Sequence, residues 1–343
     1  MDLSKIFLKG ACPTPIGGQA VLDGVMMRGT DRMAVAVRIP DGRIHIKTMP
    51  VEKLGKWAKI PIIRGVVSFV TSLVFGMKTL LYSADVAEAY GFGDEENTSE
   101  EAEEPSRFEK WLVDKFGEKG AWNIAIWFSV ILAIVIAVAI FVVMPTVVVN
   151  LFGKFIKSSF LLNLIEGIFR IALFIGYIAL IRRMDDIKTL FRYHGAEHKT
   201  IHCFENNLEL TPENAQQFYT LHPRCGTSFI VYVMVISLLV FSLVGWPSLG
   251  MRVLSRVVLI PLVAGISYEV LKLAGRSSNK LVEILAVPGL YMQKLTTAEP
   301  TNEMLEVAIS SLKAVLVEGD APYIEGICDK DANLIEPHAV EQK

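Results

Sequence analysis

From Gly120 to Gly153 the chain carries no charged residue, and the interior of that run, Ile124 to Val149, is rich in Ile, Val, Ala and Phe. A helix needs about 20 apolar residues to cross the hydrocarbon core of a bilayer, so this run predicts a transmembrane helix. Similar runs follow at about Phe160–Ile181, Thr227–Trp246 and Val253–Leu273, the Thr227 run being free of charge from Gly226 to Gly250. A shorter apolar stretch, Gly65 to Met77, is flanked by Arg64 and Lys78. It reads as an interfacial or re-entrant helix, with a fifth span as the alternative. The fold class expected is mainly α: a polytopic helical membrane protein with about four transmembrane helices.

Outside these runs the pattern changes. Met33–Ile39 and Arg43–Lys47 flank Pro40-Asp41-Gly42, which predicts a β-hairpin in a small polar-faced module. The glycines between Ile16 and Gly29 suggest tight turns or close backbone approach. They lack the strand–loop–helix context and the Lys-Ser/Thr ending of a nucleotide site. Asp94 to Glu104 is acidic and reads as a linker. A short helix is expected near Thr211-Pro212-Glu213, a turn at Pro288-Gly289-Leu290, and a helix over Met304–Leu316 capped by Thr301 or Asn302. The tail from about Asp329 is polar. This divides the chain into an N-terminal β-containing module (1–60), an interfacial or re-entrant helix (61–83) and an acidic linker (84–119). A transmembrane domain (120–275) carries a His/Cys segment (182–226), and a C-terminal segment (276–343) with one helix follows.

Charge orients this plan. Arg182, Arg183, Lys188, Arg192 and Lys199 follow the second span, Lys272, Arg276 and Lys280 follow the fourth, and Lys110, Lys115 and Lys119 precede the first. Basic residues favour the cytoplasmic side, so both termini, the β module and the His/Cys segment are expected in the cytoplasm, with the spans in the cell membrane. Lys154, Lys157, Arg252 and Arg256 weigh against this, since they then lie at the outer boundary. The first residues lack an apolar core long enough for a cleaved signal. The net charge of −2 gives no case for nucleic-acid binding. The bilayer is the expected partner, with a membrane protein or a lipid as substrate. The four cysteines are irregularly spaced and imply no disulfide framework.

The chemistry concentrates in one place. Of six histidines, His194, His198, His202 and His222 fall in one segment, with Cys203 and Cys225. His194-x-x-Glu197-His198 matches the inverted zinc-protease pattern, in which two histidines on one helical face hold zinc and the neighbouring glutamate activates water. His202 continues that face by a turn, as a third ligand or an orienting donor. His222 and Cys225 form a second ligand pair around Pro223. Two sites are thus open: a catalytic one with water in the shell, or a closed four-ligand structural one. The plainer alternative has the histidines bonded to backbone and lipid phosphate, with Lys199 and Arg224 on headgroups. Glu269, near the inner end of the last span, is a further ligand candidate or a boundary carboxylate paired with Lys272 or Arg276. Glu166 and Arg170 are four apart within the second span and read as a self-neutralising pair. Asp23 and Arg28 are weaker candidates, since turn chemistry explains Asp23-Gly24.

Three strings carry a resemblance: Gly17-Gly18-Gln19-Ala20-Val21-Leu22-Asp23-Gly24-Val25-Met26-Met27-Arg28-Gly29, Tyr193-His194-Gly195-Ala196-Glu197-His198-Lys199, and His222-Pro223-Arg224-Cys225-Gly226-Thr227-Ser228-Phe229. The chain resembles, from about Ile16 to Leu316, the YqhQ-like family of bacterial and plastid multi-pass membrane proteins, described as predicted metal-dependent enzymes. The resemblance implies metal at His194, Glu197, His198, His222 and Cys225. The expected function is a membrane-embedded, metal-dependent hydrolase, with zinc as cofactor and Glu197 as general base. Its substrate would be a peptide or a lipid-like amphiphile. The rival is a non-enzymatic scaffold or small-ion transporter with a structural metal site.

Overall fold

The computed structural model describes residues 11–51, 55, 60–91, 107–153, 155–243, 248–274, 280–317 and 321–337. The acidic tract and His338 lie outside them. The chain divides into two compact units, one of residues 1–92, 176–236 and 261–343, the other of 93–175 and 237–260.

The first unit is organised on a six-stranded antiparallel sheet in sequential order. Strands β1 (Gly17–Val21), β2 (Gly24–Arg28), β3 (Arg32–Arg38) and β4 (Ile44–Pro50) come from the N-terminal module. The expected hairpin is β3–β4. The glycine-rich string is a second hairpin, β1–β2, whose two-residue turn has Asp23 at φ 47°. Two further strands, β5 (Glu325–Cys328) and β6 (Leu334–Pro337), were not evident from the sequence; β5 pairs with β4, His45 opposite Ile327. The module is not polar-faced either. Alternation sends Val25, Met27, Ala34, Ala36, Ile44 and Ile46 to one side and Val21, Met26, Val35, Val37 and Ile39 to the other, and both sides are buried.

Helices cover both faces. On one lie α5 (Asp185–Glu205) and α10 (Asn302–Leu316), which bury Tyr193, Ala196 and Ile201, and Leu305, Ala308 and Leu312, against the sheet. Thr301 caps α10, its side chain accepting from Met304 N. On the other face Val86, Tyr82 and Tyr90, on and just beyond α1 (Ile63–Ala89), complete the second cluster. His45 is fully buried there, its Nε2 2.9 Å from the Tyr82 hydroxyl. The short α6 (Pro212–Gln216) starts where Thr211 accepts from Asn214 N.

The apolar runs are helices. Besides α1 they are α2 (Arg107–Val138), which continues through a π-helical turn at Ala139–Val143 into α3 (Met144–Phe152), then α4 (Ser159–Ile181), α7 (Gly226–Leu243) and α8 (Leu249–Ala274). Among the described residues five segments are long and apolar enough to cross a membrane: Ile63–Ala89, Ile124–Phe152, Ser159–Ile181, Gly226–Leu243 and Leu249–Leu273. They are the four expected spans and the stretch read as an interfacial or re-entrant helix, with a fifth span as the alternative. The first helix outruns its most apolar stretch, continuing through Thr79, Tyr82 and Ser83 to Ala89, past the residue 83 boundary read from the sequence. Its Gly65 meets Gly265 of α8, where an added Cβ would come within 2.8 Å of the Gly265 backbone. The turn expected at Pro288 is instead inside α9 (Lys280–Thr296). Helix packing overrides the proline there: Gly289 lies so close to α7 that a Cβ would sit 2.5 Å from Ser228 Oγ.

Candidate metal centre

Helix α5 begins with Asp185 and Asp186, which suit the positive end of its dipole, and is mostly buried from Tyr193 onward. Its middle is pressed against the chain after α9. Ala298 N donates to Phe191 O, and a Cβ on Gly195 would fall 2.1 Å from Ala298 O, so the closeness of these segments requires glycine. That approach fixes His194, one residue away. His194 Nδ1 lies 2.8 Å from Thr296 O, and His198 Nδ1 lies 2.5 Å from Thr220 O. A carbonyl can only accept, so each Nδ1 carries a proton, and each Nε2 is the nitrogen that could bind a metal.

Both Nε2 atoms turn toward Cys225. His194 Nε2 is 3.2 Å from Cys225 Sγ, and the His194 and His198 ring centroids are 4.5 Å apart. One ligand atom from each of His194, His198 and Cys225 lies within 4.8 Å of the others. His198 Nε2 is buried with no hydrogen-bond partner. A buried polar atom without a partner is costly, and here it faces two other soft donors. The N, N, S donor set fits zinc. Without a metal, the electrostatics make a thiolate–imidazolium pair, whose shared Nε2 proton an ion would replace: burial pushes the Cys225 thiol up, but the adjacent His198 and His194 outweigh it and hold the thiol well below its usual range. Burial lowers His194 in turn, and the Cys225 charge more than reverses this, to about 9.

Glu197 stands beside this trio without belonging to it. Burial raises its carboxyl above the usual range, with partial offset from His198 and His194. Its Oε2 has no hydrogen-bond partner. The glycine at position 18 lets β1 come in against it, since a Cβ there would be 2.9 Å from Glu197 Cγ and 2.6 Å from Met26 O. A cleft of about 790 Å³ opens onto His194, Glu197 and Cys225. Its walls include Gly17–Ala20 of β1, Arg28, and Ser68, Thr71, Ser72 and Phe75 on one face of α1.

The other sequence candidates lie elsewhere. His202 Nε2 donates to Leu221 O, 2.9 Å away, and burial lowers the ring to about 4. His222 is also buried, which holds it well below its usual value; its Nδ1 accepts from Arg224 N and its Nε2 is 3.9 Å from Glu205 Oε2. Its ring is 5.5 Å from that of His198, so it borders the trio without joining it. Glu269 is tied to Arg64, with Ile62 N as a second donor. Lys199 is buried against Glu299 and Gln216, and Arg224 is half-buried and engaged by Glu205 and Thr14 O, so both are committed to protein partners rather than free for lipid headgroups. Two supporting residues escaped the sequence reading. Gln293 is fully buried and accepts from His222 N while donating to His222 O and Ser228 Oγ. Glu205 accepts from Thr14 N at 2.7 Å, Thr14 Oγ1 at 2.9 Å, and Arg224. Only Glu205's place three residues after His202 could have drawn attention to it.

Residues 60–318 match the family described as "Protein of unknown function (DUF1385)", and the chain belongs to it. It is similar to the "Uncharacterized protein YqhQ" of Bacillus subtilis (strain 168), at 35% identity over 316 residues, covering 90% of this chain and 94% of the relative. No solved structure matches.

Proposed function

We propose that this protein is a membrane-embedded, zinc-dependent hydrolase. The observation that supports it most is the pair of Nδ1–carbonyl bonds. They commit His194 and His198 to the tautomer a metal needs and aim both free nitrogens at Cys225. Three protein donors leave the fourth position of a tetrahedral site to water, the arrangement of catalytic rather than structural zinc. That position would face the cleft. Zinc, when bound, would supply an activated water and polarise the carbonyl under attack.

The chain's residues do the remainder. His194, His198 and Cys225 hold the ion, while Thr296 O and Thr220 O hold the rings. Glu197 Oε2, unpartnered and beside the trio, takes the proton of the attacking water and delivers it to the leaving group. Burial favours its protonated form, which suits a base that must also act as an acid. One wall of the cleft belongs to the apolar helix α1, which favours an amphiphilic ester or amide as substrate.

Metal analysis with X-ray absorption on the full chain, extracted in mild detergent, tests this reading. One zinc with two nitrogen donors, one sulfur and one light-atom water is expected, and His198→Ala should lose it. Four protein ligands would favour the scaffold or small-ion transporter with a structural site, and no metal beyond trace would end the proposal.

A further inference from the structure

The sheet ends at β1, and the outer edge of that strand has no described strand beside it. Its register with β2 fixes which groups lie on that edge. Val21 and Gly24 close the two-residue turn, and the closing pair of such a hairpin is hydrogen-bonded. Bonded and unbonded pairs alternate, so Gln19 with Met26 and Gly17 with Arg28 bond each other, while Gly18 and Ala20 turn their N–H and C=O groups outward. Gly18 N–H donates to the Glu197 carboxylate. Among the described residues nothing bonds the other three groups, Gly18 O, Ala20 N and Ala20 O. The edge is half-buried rather than covered. It opens into the cleft that also holds His194, Glu197 and Cys225, with Ser68, Thr71 and Ser72 of α1 and Leu190 and Phe191 of α5 among its walls.

We infer that the cleft takes an extended peptide, laid along β1 as a seventh strand. The inference deepens the hydrolase reading and rests on it for the bond that is cut. A donor and two acceptors along one strand edge are matched by another peptide backbone, which offers both kinds of group at strand spacing. A lipid ester offers acceptors alone and would leave the carbonyls of Gly18 and Ala20 unanswered. Ala20 and Gly18 are about 7 Å apart along the strand, and Glu197 stands at Gly18. A peptide held by Ala20 therefore passes the carboxylate and the trio with its next residues. Glycine at position 18 keeps that passage close, since a Cβ there would be 2.9 Å from Glu197 Cγ. Side chains of the added strand alternate between the two walls, so no single one is required. In the cut itself the oxygen of water joins the carbonyl carbon and the carbon–nitrogen bond breaks. The proton that Glu197 took from water goes to the leaving amine, and no redox partner is consumed.

Hydrogen exchange tests the groove, on the full chain in mild detergent with zinc supplied and with Glu197→Gln to prevent turnover. The probe is a mixture of end-blocked octapeptides, randomised at every position. With the mixture present, the Ala20 amide should exchange roughly fivefold or more slowly, while Gln19 and Val21, already bonded to β2, change little. Ala20→Pro removes only an outward N–H, which an edge strand tolerates. Its zinc content and thermal midpoint should stay near wild type, while retention of the mixture on the immobilised chain falls about fivefold to tenfold, as the loss of one backbone hydrogen bond implies. Protection of Ala20 without any cleavage of the mixture by the wild type would keep the groove and remove the hydrolase reading. Cleavage of 4-methylumbelliferyl oleate with no protection of Ala20 by peptide would do the reverse, keeping the hydrolase and overturning the strand. Unchanged Ala20 exchange overturns the proposal whatever the proline variant does.

Discussion

Glu197 and Gly195 are neighbours on α5 with opposite duties, and single substitutions separate them. Glu197→Gln keeps the shape and removes the proton acceptor. Metal content and thermal midpoint should stay near wild type, while function, read by complementation of a deletion strain, falls about a hundredfold or more. A metal-replete, fully functional variant would remove Glu197 as the base. Gly195→Ala does the reverse. Its new Cβ meets the Ala298 backbone, which cannot step aside cheaply, so about 1–3 kcal/mol of stability should be lost, as in other overpacked cores. Zinc affinity should fall with it, because the displaced segment carries the Thr296 carbonyl; equal metal retention would show that the carbonyl is not holding His194. Glu205 adds a pH signature. Burial pushes its carboxyl up, but the bonds from His222, Arg224 and Thr14 win and bring it to about 2, against an ordinary value of 4.5. The unfolded chain therefore binds the proton first on acidification. The stability Glu205 provides is complete above about 4.5 and lost as pH falls towards 2. The gap in midpoint between wild type and Glu205→Gln should narrow across that window, and a constant gap would refute the assignment.

Among the elements, those with local signals were legible and those that depend on distant partners were not. The hairpin at Pro40-Asp41-Gly42, the capped starts at Thr211 and Thr301, and the apolar helices all follow from spacing within a few residues. Thr301→Ala should accordingly cost about 1 kcal/mol, seen as a modest drop in midpoint with unchanged metal. Strand β5 is four residues long and is a strand because β4 offers it an edge. Pro288 reads as a turn and sits in a helix because Gly289 is held against Ser228. The site shows the same division. His194 and His198 share a helical face and announce each other. Cys225 joins them through a loop whose course no spacing rule gives, and Gln293, which pins that loop, carries no signal of its own.

At the scale of the molecule, the shared core limits how the chain could thread a bilayer if the apolar helices insert in one. Ala36 and Ile46 from β3 and β4 pack in one cluster with Tyr193 and Ala196 of α5, so these elements lie on the same side. Only an even number of crossings can separate them. Three candidate spans intervene, α1, α2–α3 and α4, and α1 is the least apolar of the five. It should therefore lie along the surface without crossing, its Val70, Leu73 and Val74 in the lipid and its Ser68, Thr71 and Ser72 toward the cleft. Helices α7 and α8 should then cross as a pair and return the chain to α10, which shares that core. In a Cys12→Ser background, Asp41→Cys and Lys188→Cys should be shielded alike from an impermeant thiol reagent in intact cells, and Lys157→Cys labelled. Labelling of position 41 but not 188 would contradict the arrangement.

The pairing of β4 with β5 also sets a clock. His45 and its partner Ile327 are separated by about 280 residues, which a ribosome adds at roughly 5–20 per second. For a quarter of a minute or more the finished β1–β4 ladder must wait with its last edge unpaired, an invitation to wrong partners. Every apolar helix has to be made in that interval. The sheet can close only after the last of them, so its completion reports that all of the apolar helices have been made.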